Sequence, residues 1–148
     1  GIRDLIVTGV QTWLFRSVMM DKRPETMEVI CAVRELGVGL SMDDFGTGFS
    51  CLSRLAHLPM TELKIDQSFM RDLREGSKMK AIATTVVKIG QSLHQTVVAE
   101  GVETEQQRNQ LRDLQCDIAQ GYLYSRALNA AALAGWVKKR ARTEITLD

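Results

Sequence analysis

Cysteine is scarce in this chain and its spacing forms no motif. Cys31, Cys51 and Cys116 are odd in number, far apart, and include no Cys-x-x-Cys pair. Neither a disulfide framework nor a thiolate zinc site is indicated, and reduced thiols in a cytoplasmic protein are the expectation. An excess of one charge is also lacking. Nineteen basic residues face 18 acidic ones, a net charge of +1. That balance removes any electrostatic argument for DNA, RNA or a membrane surface as partner. No run approaches the roughly 20 apolar residues of a membrane span. The opening Gly1-Ile2-Arg3-Asp4-Leu5-Ile6-Val7 lacks the basic and long apolar regions of a signal peptide. Internal repeats and low-complexity linkers are absent as well. What remains is 148 residues, 45% of them apolar, which is one domain by size with ample material for a core.

From residue 24 the pattern alternates helix and strand. Pro24 suits a first helical turn, and Met27, Ile30, Val33 and Leu36 continue at helical spacing to a stop at Gly37. Val38 to Met42 reads as a strand, Ser50 to Leu58 as a short helix, and Glu62 to Asp66 as a second strand. Met79, Ile82, Val86, Ile89 and Leu93 recur at spacings of three and four. They predict a helix over 77–93 with that stripe in the core. Thr96 to Ala99 is a third strand. Thr104 with Gln107 three residues on forms a capping box for a further helix carrying Leu111 and Leu114. Asp117 to Ala119 reads as a weaker strand. Asn129 caps a last helix with Leu133, Trp136 and Val137, whose basic end, Lys138 to Arg142, reads as a solvated terminus.

Alternating β and α elements imply a parallel sheet. The polar residues of interest fall at the C-terminal strand ends: Asp43 and Asp44, Lys64 and Asp66, Glu100 and Glu103, and Gln120. That edge is where sites form in open parallel sheets and in (β/α)₈ barrels. Adjacent carboxylates repel, and a hard divalent cation with oxygen ligands resolves the conflict. Asp43-Asp44 running into a glycine-rich turn is therefore a candidate metal site. A bland reading stands beside each residue: a surface turn for the aspartates, a solvated strand end for Lys64-Ile65-Asp66, helix-start charges for Glu100 and Glu103. Asp-Phe-Gly also occurs in protein kinases, but no His-Arg-Asp or Ala-Pro-Glu accompanies it here. His57 and His94 have no ligand spacing.

Four motifs in order narrow the choice: Asp-Asp-Phe-Gly-Thr-Gly-Phe-Ser at 43–50, Leu-Lys-Ile-Asp at 63–66, Val-Ala-Glu-Gly-Val-Glu-Thr at 98–104, and Ala-Gln-Gly-Tyr-Leu-Tyr-Ser-Arg at 119–126. The set resembles the EAL family, whose domains hydrolyse the bacterial second messenger cyclic di-GMP to a linear dinucleotide. The resemblance implies a (β/α)₈ TIM-type barrel with two Mg²⁺ or Mn²⁺ ions at its C-terminal mouth. It implies metal ligation by Asp43, Asp44 and Glu100, and catalytic roles for Lys64, Glu103 and Gln120. Asp66 is a further candidate. Phe45, Gly46, Thr47, Gly48, Phe49 and Ser50 resemble the family's substrate loop. Cyclic di-GMP, a second copy of the chain, and a sensory or cyclase domain are the implied partners.

A whole barrel takes about 250 residues, so four to five βα units of one are expected here. The expected division is a family region over 17–142, a preceding segment 1–16 foreign to it, and a tail over 143–148. Trp13, Phe15 and Arg16 stand where the family pattern expects Glu, Thr and Glu, and the Glu-Ala-Leu signature and a later Asn are missing. Three first-metal ligand positions are thus unfilled. At most one ion, and little or no phosphodiesterase activity from the isolated chain, follow from that. The rival is a degenerate module that binds nucleotide or a protein partner as a regulator.

Overall fold

A computed structural model describes residues 3–4, 24–46, 55 and 57–144. Five parallel strands form one sheet. They are β1 (Arg3–Asp4), β2 (Ser41–Phe45), β3 (Glu62–Ile65), β4 (Thr96–Ala99) and β5 (Ile118–Ala119), in the order β1-β5-β4-β3-β2. Among the described residues four α-helices accompany them: α1 (Pro24–Glu35), α2 (Lys78–Ser92), α3 (Glu105–Asp113) and α4 (Ala130–Glu144). The architecture is α/β with a parallel sheet, a part of the TIM-type barrel.

Local signals account for most boundaries. Gly37, at φ +81°, takes the left-handed conformation that closes α1. Ser77 caps α2, accepting from the Lys80 amide at 3.0 Å. Both halves of the Thr104–Gln107 capping box are formed. Asn129 Oδ1 accepts from the Ala132 amide at 2.9 Å and opens α4.

Three expectations need correction. The first long strand begins at Ser41, not Val38; Val38 is exposed, and Leu40 is tied by its amide to Thr61 Oγ1 at 2.8 Å. The apolar stripe of α2 is the core stripe only in part, since Val86 is buried and Ile89 packs against the core. Met79, Ile82 and Leu93 are exposed, whereas Ala83, Val86, Val87 and Gly90 are buried. Small residues let the helix approach the sheet closely: a Cβ on Gly90 would lie 2.2 Å from Val97 Cγ2. Leu36 is 81% exposed and lies beyond the end of α1. The helix expected over 50–58 lies outside the described residues except at Leu55, which is buried, and at 57–58. A 3₁₀ helix at Gln67–Asp72 had no counterpart in the sequence reading.

The core gathers Leu63, Ile65, Val97 and Ala99 from the central strands with Val86 and Val87 of α2 and Leu111 of α3. Side chains of β3 and β4 are buried on both faces, as covered parallel strands require. The C-terminal ends of β2, β3 and β4 therefore sit on a rigid base.

Candidate active site

The site begins with an irregularity in strand pairing. Met42 pairs with Leu63 and Phe45 with Ile65. Two residues, Asp43 and Asp44, thus face one, Lys64, across the β2–β3 pair. This is a β-bulge, which re-aims side chains. Asp44 carries the strain of the extra residue, at φ +53°. Aspartate tolerates that conformation better than most side chains. Its amide donates to Asp43 Oδ1 at 3.1 Å.

Lys64 lies in a row with Val98 and Ile118 across the sheet. Apolar neighbours on that row leave its side chain only 9% exposed. The ammonium donates to Asp43 Oδ1 at 3.0 Å and is bonded to Glu100 Oε1. Glu100 reaches it because β4 runs one residue past Ala99, where the Glu100 amide donates to the Ile65 carbonyl at 3.0 Å. The side chain of Glu100 is 20% exposed and that of Asp43 43%.

Burial opposes the charge on Lys64, but the hydrogen bonds and fields of Glu100 and Asp43 outweigh it and hold its pKa above the ordinary value. Burial raises the Glu100 carboxyl; Lys64 pulls it back, and Asp43 and Asp44 push it up again, so the net shift is upward. The two partners of one ion pair thus move in ways that look contradictory. The cause is a surplus of acid: two carboxylates pair with one ammonium and the field of a third, Asp44, also reaches Glu100, so the ammonium is well satisfied and the most buried acid is not.

Gln120 follows β5, with its amide donating to the Ala99 carbonyl at 2.8 Å. Its side-chain Oε1 is buried and finds no hydrogen-bond donor among the described residues. Glu103 is exposed ahead of α3; its amide donates to Gln107 Oε1 at 2.8 Å, and the ion pairs of Lys64 are with Asp43 and Glu100. The carboxylate of Asp66 caps the 3₁₀ helix, accepting from the Ser68 amide at 2.9 Å. Burial works to raise its pKa, and the Ser68 hydrogen bonds outweigh that and lower it. Asp66 thus caps the 3₁₀ helix directly after β3. Phe45 is buried, and Gly46, at φ +100°, lies against the Phe69 ring. Thr47, Gly48, Phe49 and Ser50, like Trp13, Phe15 and Arg16, lie outside the described residues. Beyond its cap, Gln107 donates from Nε2 to the Met70 carbonyl at 2.8 Å, tying the first turn of α3 to the 3₁₀ helix after β3.

The donor set suits a hard cation in chemistry. Three carboxylates against one ammonium leave two surplus negative charges, and Gln120 offers a further oxygen. The set is not a preformed cage: among the described residues no three His, Cys, Asp or Glu side chains lie close enough to hold an ion together. Lys64 occupies the carboxylates that an ion would take.

The EAL domain pattern matches residues 14–127. The chain belongs to the EAL domain family. The chain is 50% identical over 121 residues to the oxygen sensor protein DosP of Escherichia coli, covering 82% of this chain and 15% of DosP. MucR of Pseudomonas aeruginosa, a bifunctional diguanylate cyclase/cyclic di-GMP phosphodiesterase, is 41% identical over 117 residues, 79% of this chain and 17% of MucR. The solved MucR phosphodiesterase in complex with cyclic di-GMP superposes with a TM-score of 0.71 at 41% identity, covering 77% of this chain and 46% of that one. BlrP1 of Klebsiella pneumoniae, solved with manganese and cyclic di-GMP, gives a TM-score of 0.62 at 38% identity, covering 67% of this chain and 25% of BlrP1. The EAL family is metal-dependent. This chain spans a small part of its full-length relatives and about half of the MucR phosphodiesterase chain. No helix among the described residues is long and apolar enough to cross a membrane.

Proposed function

We propose that this chain carries the second half of an EAL-type site that binds cyclic di-GMP and hydrolyses it weakly when isolated. One observation carries the reading: Lys64 pairs with the carboxylates of Asp43 and Glu100 at adjoining strand ends, and the field of Asp44 adds to the surplus of negative charge there. Asp43, Asp44 and Glu100 would hold one divalent ion, Mg²⁺ or Mn²⁺. Bound there, such an ion supplies a hydroxide-generating Lewis acid near neutral pH. Displaced from the carboxylates, Lys64 is a fixed cation for the phosphodiester and for charge developing on it. Gln120 offers an amide to a water or a phosphate oxygen without adding charge. Glu103 stands at the same edge as an acceptor for the nucleophile's proton. The loop over 45–50 would close over the nucleotide.

Weak turnover follows from the donor count. Three carboxylates and an amide do not fill two octahedral ions. The absence of a ready three-ligand group among the described residues favours a second reading, a module that grips the nucleotide without turning it over. The same proposal places the domain in the cytoplasm, beside a sensory or cyclase domain or a second copy of itself. The test is incubation of cyclic di-GMP with the chain at saturating Mg²⁺ or Mn²⁺, with chromatography of the products. Slow formation of the linear dinucleotide, lost in Glu100→Gln, is expected. Binding without product favours the regulator, a rate like that of the MucR phosphodiesterase refutes the weakness, and no binding refutes both readings.

A further inference from the structure

The 3₁₀ helix over Gln67–Asp72 follows directly on the strand end that carries Lys64. Asp66 starts it: the Ser68 amide donates to its carboxylate, and the Phe69 amide to its carbonyl at 3.1 Å. Residues of α3 hold its far end, with Gln107 Nε2 donating to the Met70 carbonyl and Gln110 Nε2 to the Leu73 carbonyl at 2.7 Å. Phe69, Met70 and Leu73 are buried in the core. The helix is therefore a fixed body between the strand ends on either side of β3.

Its first residues bear on both of those strand ends, and each contact falls at a glycine. The Phe69 ring takes the place of a side chain at Gly46: a Cβ there would lie 2.9 Å from Phe69 Cζ. On the β4 side, a Cβ at Gly101 would lie 2.4 Å from Gln67 Cβ. Gly46 stands two residues after Asp44, and Gly101 follows Glu100 directly. The end of β2 thus runs through Asp44 at φ +53°, a buried Phe45, and Gly46 at φ +100°. A left-handed aspartate costs free energy and persists only where its surroundings fix it. Phe45 is fixed by pairing with Ile65, and Gly46 by the Phe69 ring.

We infer that Phe69 is a positioning residue for the candidate ion ligands. Its ring, seated on Gly46, holds the bulge and so fixes where the Asp43 and Asp44 carboxylates stand relative to Lys64 and Glu100. This rests on the divalent-ion reading of the cluster and adds to it the contact that sets the place of two ligands. Groups that orient metal ligands change metal affinity by about 10- to 100-fold when altered. A smaller side chain at position 69 leaves a gap against Gly46 into which the turn relaxes.

The test is calorimetric titration of the whole chain with Mn²⁺ alone, beside amide NMR spectra of the metal-free chain. Phe69→Leu is expected to weaken Mn²⁺ binding about tenfold and to displace the Asp43 and Asp44 amide signals. Val86→Ala also removes buried methyl groups, from α2, and reports what lost packing does by itself. It is expected to keep the parent affinity and leave both signals in place. Phe69→Tyr adds an oxygen at the ring atom nearest Gly46; it is expected to displace the same signals, and it decides the matter if Phe69→Leu does not fold. Unmoved signals or parent affinity in the folded Phe69 variants, or equal effects in Val86→Ala, overturn the inference. If the parent chain takes up no Mn²⁺, the ion reading falls on its own, and the amide signals still decide whether Phe69 fixes the bulge.

Discussion

Lys64 is surrounded by acids because the pairing of β2 with β3 admits one extra residue, and the extra residue is itself an acid. The residue types were legible in the sequence: paired aspartates, a lysine and a glutamate at strand ends. The bulge was not, since nothing in the order of side chains reveals that two residues will face one. Replacing Lys64 by Met leaves Glu100 half-buried beside two aspartates. Unfolding is expected to become easier by about 1–3 kcal/mol near neutral pH. The sign of the pH effect follows from Glu100. Its folded pKa lies above the ordinary carboxylate value, so its contribution falls as pH rises from the unfolded pKa through the folded one. The deficit of the variant should therefore shrink as Glu100 takes up a proton, which chemical denaturation at about pH 7 and about pH 4.5 would show. Asp66 behaves oppositely. Its lowered pKa gives stability that is present above the ordinary 3.8 and lost as pH falls through the folded value. Asp66→Ala is expected to cost about 1 kcal/mol at neutral pH, fading in acid. Only the geometry shows its carboxylate turned to the Ser68 amide.

Elements with local signatures were readable: the Thr104–Gln107 box, the Ser77 and Asn129 caps, and the Gly37 stop each rest on a few adjacent residues. The facing of α2 was not. Large apolar residues at helical spacing suggest Met79, Ile82, Val86, Ile89 and Leu93 as the inner stripe; Val86 and Ile89 do face the core, but Met79, Ile82 and Leu93 do not, and Ala83 and Gly90 bring the helix close. Ile82→Ser and Gly90→Ala separate these readings by thermal unfolding, with Val86→Ala as the buried reference. Ile82→Ser should change stability by no more than about 0.5 kcal/mol, the range for surface positions. Val86→Ala removes buried methyl groups and should cost about 2 kcal/mol. Gly90→Ala drives a methyl group into Val97 and should cost about 1–3 kcal/mol. The 3₁₀ helix escaped notice because six residues at a three-residue period carry no distinct apolar pattern.

At the scale of the molecule, the alternation of helix and strand was sufficient to expect a parallel sheet, and the sheet order brings β3 to a position between β2 and β4, so that three strand ends share one cluster. That order could not be read from periodicity, which says nothing about neighbours. It came instead through the ordered motifs. The buried core also shields Cys116, whose thiol burial pushes up to about 11. Alkylation of Cys116, followed by peptide mass spectrometry, should therefore track global unfolding, while exposed Cys31 reacts in the folded chain. The central claim is that these strand ends make one pocket for a divalent ion and a cyclic dinucleotide. Calorimetric titration with cyclic di-GMP, with and without Mn²⁺, in the parent chain and in Glu100→Gln, tests it most directly. Mn²⁺ should tighten nucleotide binding in the parent and have no such effect in the variant. Absence of binding, or binding indifferent both to Mn²⁺ and to the loss of the Glu100 carboxylate, would contradict the claim.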